Sequence, residues 1–222
     1  MTILTKSRTF SARAAFAGAL ALAVPLGAAI TLAPAPAAAA SPEMLDTAIS
    51  ALRSISTMTA DFTQTDAKGQ TVSGEMTLKR PGKIRFEYEK SAKMLIVSTG
   101  KSLYLIDYAV NQVQRWPIKN SPLGALLDPG RDVQKYSTLV PTSTNDVIGV
   151  EVRDPKHPEY GVITLIFQRD STAPGGFELV SWVALDSQNN RTTVRLKNQR
   201  YGVAVPDSTF RFKDPRRSGR RP

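Results

Sequence analysis

Apolar residues recur at every second position in short segments along most of this 222-residue chain. In the first of these segments, Met58, Ala60 and Phe62 alternate with polar residues, which is the period of a β-strand with one buried face. Asp66-Ala67-Lys68-Gly69 is a turn signal, and the alternation resumes from Thr71 to Arg80. The later links are equally short, which favours an antiparallel meander. Further strands are predicted at 83–89, 94–99, 102–108, 112–117, 147–153, 161–169, 177–186, 191–201 and 208–212.

Two helices are predicted beside these strands. Residues 42–54 follow Ser41 as a cap, have proline in the first turn and carry apolar residues at helical spacing. Residues 120–127 also combine a cap, an early proline and an apolar face, and Asp128-Pro129-Gly130 ends them. Residues 131–135 are a further candidate for helical cover.

A sheet of about eleven strands with one face in water must cover its other face. The two predicted helices are small for that task, so we expect them to cover the sheet only thinly. The sequence therefore predicts a mainly β fold. It is an incomplete, half-open antiparallel β-barrel of about eleven strands, with a small helical lid over an apolar concave face. Such a fold leaves room for a ligand.

The N-terminal residues 1–40 have the organisation of a cleavable secretory signal peptide. Basic residues precede an apolar run over 14–32, and the small residues that follow predict cleavage after Ala40. Alanine and glycine dominate the run and Pro25 interrupts it, which argues against the alternative, an N-terminal membrane anchor. We expect export to the periplasm, with residues 41–212 forming one folded domain.

The chain carries a net charge of +10 and has no cysteine. Much of the charge lies in residues 213–222, which we interpret as a basic, disordered tail; contact with anionic phospholipid is the alternative. In an exported protein, anionic membrane surfaces are more plausible partners than nucleic acid. Without cysteine, this sequence offers neither a disulfide framework, a thiolate metal site nor a lipidated cysteine.

Residues that could support catalysis are scarce. The single histidine, His157, is flanked by Asp154-Pro155-Lys156 and Pro158 and is predicted to lie in an exposed loop. Glu87 and Glu89 share a strand face with basic residues, so a charge-balanced surface is favoured over a pair of catalytic carboxylates. We therefore predict a protein that is not an enzyme and has neither a metal site nor a cofactor.

Arg80 departs from the pattern of its own strand. The positions facing inward are Val72, Gly74, Met76 and Leu78, and the next step of two places a guanidinium at the edge of the apolar face. A buried charge is costly unless it is hydrogen-bonded, so Arg80 should find polar partners across the concave face. The alternative is that the strand ends before the following proline and Arg80 turns to solvent.

Arg80 also belongs to an ordered set of short motifs that covers most of residues 42–212. No single motif is diagnostic, but the set, together with the signal peptide and the lack of cysteine, resembles the LolA-type outer-membrane lipoprotein carriers. Phe86 is a modest departure, because some members have tryptophan there. The motifs follow the first helix in this order: Phe62-Thr63-Gln64, Gly74, Lys79-Arg80-Pro81-Gly82, Phe86, Leu95 to Gly100, Tyr104, Trp116, Ser121-Pro122-Leu123 and Leu126-Leu127.

The resemblance implies a periplasmic chaperone for acylated lipoproteins. Such a carrier binds the acyl chains of lipoproteins released by an inner-membrane ABC transporter and delivers them to an outer-membrane receptor. Arg80 would hold the lid closed through hydrogen bonds to helix backbone, and the lid leucines would be Leu123, Leu126 and Leu127. The acyl-chain cavity would be lined by the inward-facing residues Met58, Phe62, Met76, Leu78, Ile84 and Phe86.

Other functions remain open at this point. A lipid-anchored receptor of the same fold needs a cysteine directly after the cleavage site, where this chain has Ser41. A hydrolase needs a nucleophile beside a base, and His157 is a poor candidate for the base. A periplasmic sensor or lipid carrier with the same fold is the main alternative. We expect the protein to be a monomer that does not bind nucleic acid.

Overall fold

Residues 42–118, 124, 127 and 134–216 are described in a computed structural model of the chain. The predicted signal peptide, residues 1–40, lies outside these ranges, as do most residues of the predicted mid-chain helix. Within the described ranges, no helix is both long enough and apolar enough to cross a bilayer.

Helix α1 spans Pro42–Ser54 and confirms the helix predicted over residues 42–54. Pro42 lies in the first turn, where its missing N–H leaves no hydrogen bond unmade. Glu43 in the first turn and Arg53 in the last carry the charges that suit the helix dipole. The helix buries a single face, made of Ala48, Ile49, Ala51 and Leu52.

The described part of the chain forms one sheet of eleven strands, in which every neighbouring pair is antiparallel. The order is β6-β5-β4-β3-β2-β1-β11-β10-β9-β8-β7, so pairing of β1 with β11 joins two meanders. The edge strands β6 and β7 lie at opposite ends of this order and are not paired with each other. The barrel is therefore incomplete, as predicted. The bounds are β1 Thr57–Thr65, β2 Thr71–Lys79, β3 Lys83–Tyr88, β4 Met94–Ser98, β5 Ser102–Asp107, β6 Gln112–Pro117, β7 Ser137–Val140, β8 Val147–Arg153, β9 Val162–Arg169, β10 Phe177–Leu185 and β11 Arg191–Tyr201.

The sheet is strongly curved, and an aromatic contact demonstrates this curvature. Phe86 of β3 and Trp182 of β10 lie four strand positions apart in the sheet. In a flat sheet that separation would be about 19 Å, because neighbouring strands lie about 4.8 Å apart. Their ring centroids are 6.0 Å apart, so the two halves of the sheet face each other. The concave face between them holds the main core, which Ala48, Ala51 and Leu52 of α1 also enter.

The prediction of a strand at residues 208–212 was wrong. Residues 207–210 form a short 3-10 turn, and residues 205–212, here called the C-terminal strap, cross the outer face of the sheet. Phe210 packs there with Leu95, Val97 and Ile106 in a second apolar cluster. Arg85 donates hydrogen bonds of 3.3 Å to the carbonyl oxygens of Thr209 and Arg211.

One strand of the sheet was not predicted. β7 has only four residues, and the sequence analysis assigned no element to them. The other predicted strands, which correspond to β1–β6 and β8–β11, are present with bounds within one residue. Part of the predicted tail is described as well: Pro215 is buried and Arg216 forms an ion pair with Asp214 at 2.7 Å.

The C-terminal strap is tied to the turn between β2 and β3 by one carboxylate. Asp207 accepts a hydrogen bond from Lys79 at 2.7 Å and pairs with Lys83 at 3.0 Å. Lys79 and Lys83 face each other in the β2–β3 register, so Asp207 compensates two like charges at once. These bonds, first from Lys79 and then from Lys83, lower the pKa of Asp207 from 3.8 to about 2.

We expect Asp207→Asn to loosen the C-terminal strap at neutral pH. A carboxyl whose pKa is lowered in the folded state stabilises that state above its unfolded pKa, and loses this effect as pH falls towards 2. Hydrogen exchange of the Arg211 amide, which donates to the Ser208 carbonyl, should therefore accelerate in the variant. Asp146→Asn removes a separate exposed ion pair with Arg169 and serves as the matched control. Equal exchange at Arg211 in both variants would contradict the prediction.

Candidate functional site

A cavity of about 340 Å³ opens on the concave face, between the two halves of the sheet. Its walls come from β3, β4 and β5 on one side and from β9, β10 and β11 on the other. A cavity between strands so distant in the sheet order exists only because the sheet curls. Most of the wall is apolar and includes Phe86, Ile96, Leu103, Ile163, Trp182 and Val194.

Aromatic rings packed edge to face support one side of this cavity. The ring centroid of Phe62 in β1 lies 5.2 Å from that of Phe86 and 5.1 Å from that of Tyr88, and both pairs are edge to face. Phe62 is almost fully buried, while Phe86 and Tyr88 border the cavity itself. Edge-to-face pairs hold rings in a definite orientation. Phe62 therefore orients the rings of Phe86 and Tyr88, which border the cavity.

The six residues predicted to line an acyl-chain cavity all lie in the concave core. Phe86 borders the cavity of about 340 Å³. The other five are buried in the same cluster without bordering that cavity: Met58, Phe62, Met76, Leu78 and Ile84.

Polar groups occur at one end of the cavity. The Tyr88 hydroxyl donates a hydrogen bond of 2.8 Å to Oε1 of Gln64. Burial raises the pKa of Tyr88 to about 12, so the phenol remains neutral at physiological pH. At the mouth, Asp186 accepts hydrogen bonds from the side chain and backbone of Asn190, which lower the pKa of its carboxyl.

The turn between β2 and β3 forms the second part of the site. The three guanidinium nitrogens of Arg80 are buried, as expected for a side chain that points inward. The backbone N–H of Arg80 donates to the Ser56 carbonyl at 2.9 Å, which anchors the turn to the residue before β1.

The same turn is hydrogen-bonded to the mid-chain segment and to the next hairpin. The Gly82 N–H donates to the Leu127 carbonyl at 2.8 Å. The Gly82 carbonyl accepts from the buried Ser98 hydroxyl, which itself accepts from the Gly100 N–H at 3.1 Å. This series of bonds connects the cover of the concave face to two turns at the rim of the sheet.

The predicted lid is described at two positions. Gly124 and Leu127 have helical backbone and are buried, and Leu127 belongs to the concave core. The other predicted lid leucines, Leu123 and Leu126, lie outside the described residues.

We expect Gly82→Ala to destabilise the protein by about 2 to 3 kcal/mol. Gly82 has a φ of +75°, and a Cβ there would lie 2.9 Å from the Gly100 carbonyl oxygen. Gly69→Ala is the matched control, because Gly69 has a φ of +79° but no heavy atom within 4 Å of an added Cβ. The free energy of unfolding of the control should fall only by the cost of holding alanine at a positive φ, about 1 kcal/mol. Equal losses in urea unfolding experiments would contradict the close packing of this turn.

The other candidates for chemistry remain at the surface. His157 is exposed, stacks on Tyr160 and lies 3.0 Å from a Glu159 carboxylate oxygen. Glu87 pairs with Arg85 at 3.0 Å on the outer face, where Glu89 accepts a hydrogen bond from Ser73. Among the described residues, no three acidic, histidine or cysteine side chains are grouped closely enough to hold a metal ion.

Trp182 is the main residue of the cavity wall that the sequence analysis missed. In β10, Phe177 and Leu179 face inward, and strict alternation would next place Ser181 inward. A β-bulge between Leu179 and Ser181 shifts the register, and Trp182 is buried instead. The signal available in the sequence was the tryptophan itself, because tryptophan side chains are on average highly buried.

The chain is similar in sequence to known lipoprotein carriers. Residues 53–213 match the family model described as "Outer membrane lipoprotein carrier protein LolA". The outer-membrane lipoprotein carrier protein of Chromobacterium violaceum is 30% identical over 169 residues, which cover 72% of this chain and 78% of that protein. The protein of the same name from Methylobacillus flagellatus is 31% identical over 172 residues, covering 73% and 81%.

The solved structures that align with this chain are more distant in sequence. The LolA superfamily protein NE2245 from Nitrosomonas europaea aligns with a TM-score of 0.44 and 10% identity, covering 79% of this chain and 99% of that one. The family match itself extends over most of the chain, from the end of α1 to the end of the C-terminal strap. The chain therefore belongs to the LolA family of outer membrane lipoprotein carrier proteins.

Proposed function

We propose that the protein is a periplasmic chaperone that binds the acyl chains of lipoproteins and carries them to the outer membrane. The observation that carries this proposal is the apolar cavity of about 340 Å³ on the concave face of a LolA-family chain. The names of its relatives favour a lipoprotein carrier over a lipid-binding sensor with the same fold. The proposal includes no catalytic step.

The size of the cavity bears on how cargo binds. Small-molecule sites usually measure roughly 300 to 1,000 Å³, so a cavity of about 340 Å³ is at the lower end of that range. Several acyl chains therefore require the concave face to open, and displacement of the cover at Leu127 provides that opening. Each methylene removed from water contributes about 0.8 kcal/mol, so cargo competes with the lid for the same apolar surface.

Arg80 is the proposed latch of this lid, and Leu123, Leu126 and Leu127 are its proposed apolar residues. The buried guanidinium of Arg80 and the hydrogen bond between Gly82 and Leu127 support this assignment. A latch of this kind balances binding against release, because it stabilises the closed form that excludes cargo.

The proposed route begins with export. Residues 1–40 act as a signal peptide that is cleaved after Ala40, and residues 41–212 form the carrier domain. The monomeric carrier receives lipoproteins from an inner-membrane lipoprotein-releasing ABC transporter and delivers them to an outer-membrane receptor. The basic residues 213–222 follow this domain as a tail, and its described residues, 213–216, do not border the cavity.

Recovery of bound cargo tests the proposed function. The protein is purified from periplasm while delivery is blocked, and acylated polypeptides in the eluate are identified by mass spectrometry. Phe86→Glu places a charge in the cavity wall and should abolish recovery. Val110→Glu changes an exposed residue outside the cavity and should leave recovery intact. Absence of acylated polypeptides from the unmodified protein would contradict the carrier function.

A further inference from the structure

Gln64 brings a polar group into an otherwise apolar part of the cavity. It lies near the end of β1 on the same side as Phe62 and borders the cavity. Its Oε1 already accepts the hydrogen bond of 2.8 Å from Tyr88. With Oε1 directed at Tyr88, the Nε2 group is the end left for another partner.

The Nε2 group of Gln64 has no hydrogen-bond acceptor among the described residues. The other polar residues that border the cavity include Tyr160, Asp186, Asn190 and Thr192, and the Thr192 hydroxyl is a second candidate donor. Asp186 and Asn190 bind each other at the exposed mouth, with Nδ2 of Asn190 donating to Oδ2 at 2.8 Å. The ring of Tyr160 stacks on His157. Gln64 is therefore a donor that faces a largely apolar space.

An amide donor in an apolar wall favours a ligand that supplies an uncharged acceptor at that depth. Hydrocarbon offers none, whereas an acyl chain linked through an ester or an amide carries one at its carbonyl oxygen. We propose that Gln64 donates from Nε2 to the carbonyl of a bound acyl group and so selects acyl chains over plain alkyl chains. The inference rests on the proposed function, and it specifies which atom of the cargo the cavity recognises.

The test compares two ligands that differ only in this carbonyl. Monolauroylglycerol is an ester, and dodecylglycerol is the corresponding ether with the same chain and head group. Binding below the micellar range is followed by the fluorescence of Trp182 in a Trp116→Phe background, because Trp182 borders the cavity while Trp116 is 43% exposed. We expect the ester to bind about two- to tenfold more tightly, the range for one uncharged hydrogen bond.

Two variants of Gln64 should remove this preference. Gln64→Glu keeps the shape and the acceptor for Tyr88 but loses the donor, and Gln64→Leu loses both. In each variant the ratio of the two affinities should fall to about one. A ratio is insensitive to general loss of folded protein, and Gln168→Leu on the exposed surface of β9 is the matched control that should keep the preference.

The outcomes separate the two proposals. If the unmodified protein binds ester and ether equally, the role of Gln64 is refuted while the carrier function stands. If it binds neither, the acyl cavity and the inference both fail. If the Gln64 variants keep the preference and Thr192→Val loses it, the donor is the neighbouring Thr192 hydroxyl and the assignment to Gln64 is wrong.

Discussion

Replacing Arg80 with leucine should slow the transfer of bound lipoprotein to an acceptor membrane by about tenfold to a hundredfold. Hydrogen bonds that involve a charged group contribute about 1.5 to 3 kcal/mol, and 1.4 kcal/mol corresponds to a factor of ten. The guanidinium nitrogens of Arg80 are buried, so the hydrogen bonds proposed for the latch would not be weakened by competition with water. Their loss should destabilise the closed form and leave the cargo-bound, open form favoured.

The release experiment uses protein loaded with an acylated lipoprotein and then mixed with acceptor vesicles, which are separated by sedimentation. Arg80→Lys keeps the charge but not the planar fork of donors, so its release should be intermediate. Arg153→Leu is the control, because Arg153 is exposed and lies on the other half of the sheet. Release from Arg80→Leu at the rate of the control would falsify the latch.

The general fold was predictable because strand pairing in this chain is local. From β1 to β6, each strand pairs with the one that follows it, so a two-residue period and a turn signal specify both partners. The pairing of β1 with β11 is the long-range step, and no local pattern predicts it. It follows instead from the need of both meanders to bury their apolar faces in one common core.

The errors have physical causes that can be traced to particular residues. Phe210 and Phe212 alternate with polar neighbours as in a strand, but they pack across the outer face of the sheet rather than within it. The run from Met94 to Val97 is continuously apolar, which is typical of a strand buried on both faces. That run was the signal that something must cover the outside of β4.

The candidate site was predictable only in part. The inward position of Arg80 follows from counting by two along β2, and its guanidinium is buried. Trp182 escaped the same counting because a β-bulge shifts the register within β10. The position of Gln64 beside Tyr88 depends on two strands that flank β2, so only the assembled sheet brings them together.

Replacing Phe62 with alanine should produce the largest loss of stability, about 4 kcal/mol in the free energy of unfolding. Phe62 is 2% exposed, and no solvent can fill the space that its ring leaves. Its edge-to-face contacts with Phe86 and Tyr88, at 5.2 and 5.1 Å, would be lost as well. The cavity wall would then lose the ring that orients it, so acyl binding should weaken together with stability.

Urea unfolding of Phe62→Ala, Phe62→Leu and Phe212→Ala separates packing in the concave core from general loss of an aromatic ring. Phe62→Leu keeps most of the volume and should cost about 1 to 2 kcal/mol. Phe212 is half-buried in the C-terminal strap, and its ring centroid lies 5.1 Å from that of Tyr104. Its truncation should therefore also cost only about 1 to 2 kcal/mol. If Phe62→Ala were no more costly than Phe212→Ala, the concave face would have to be loosely packed. Its cavity could then not discriminate between ligands by the position of a single donor.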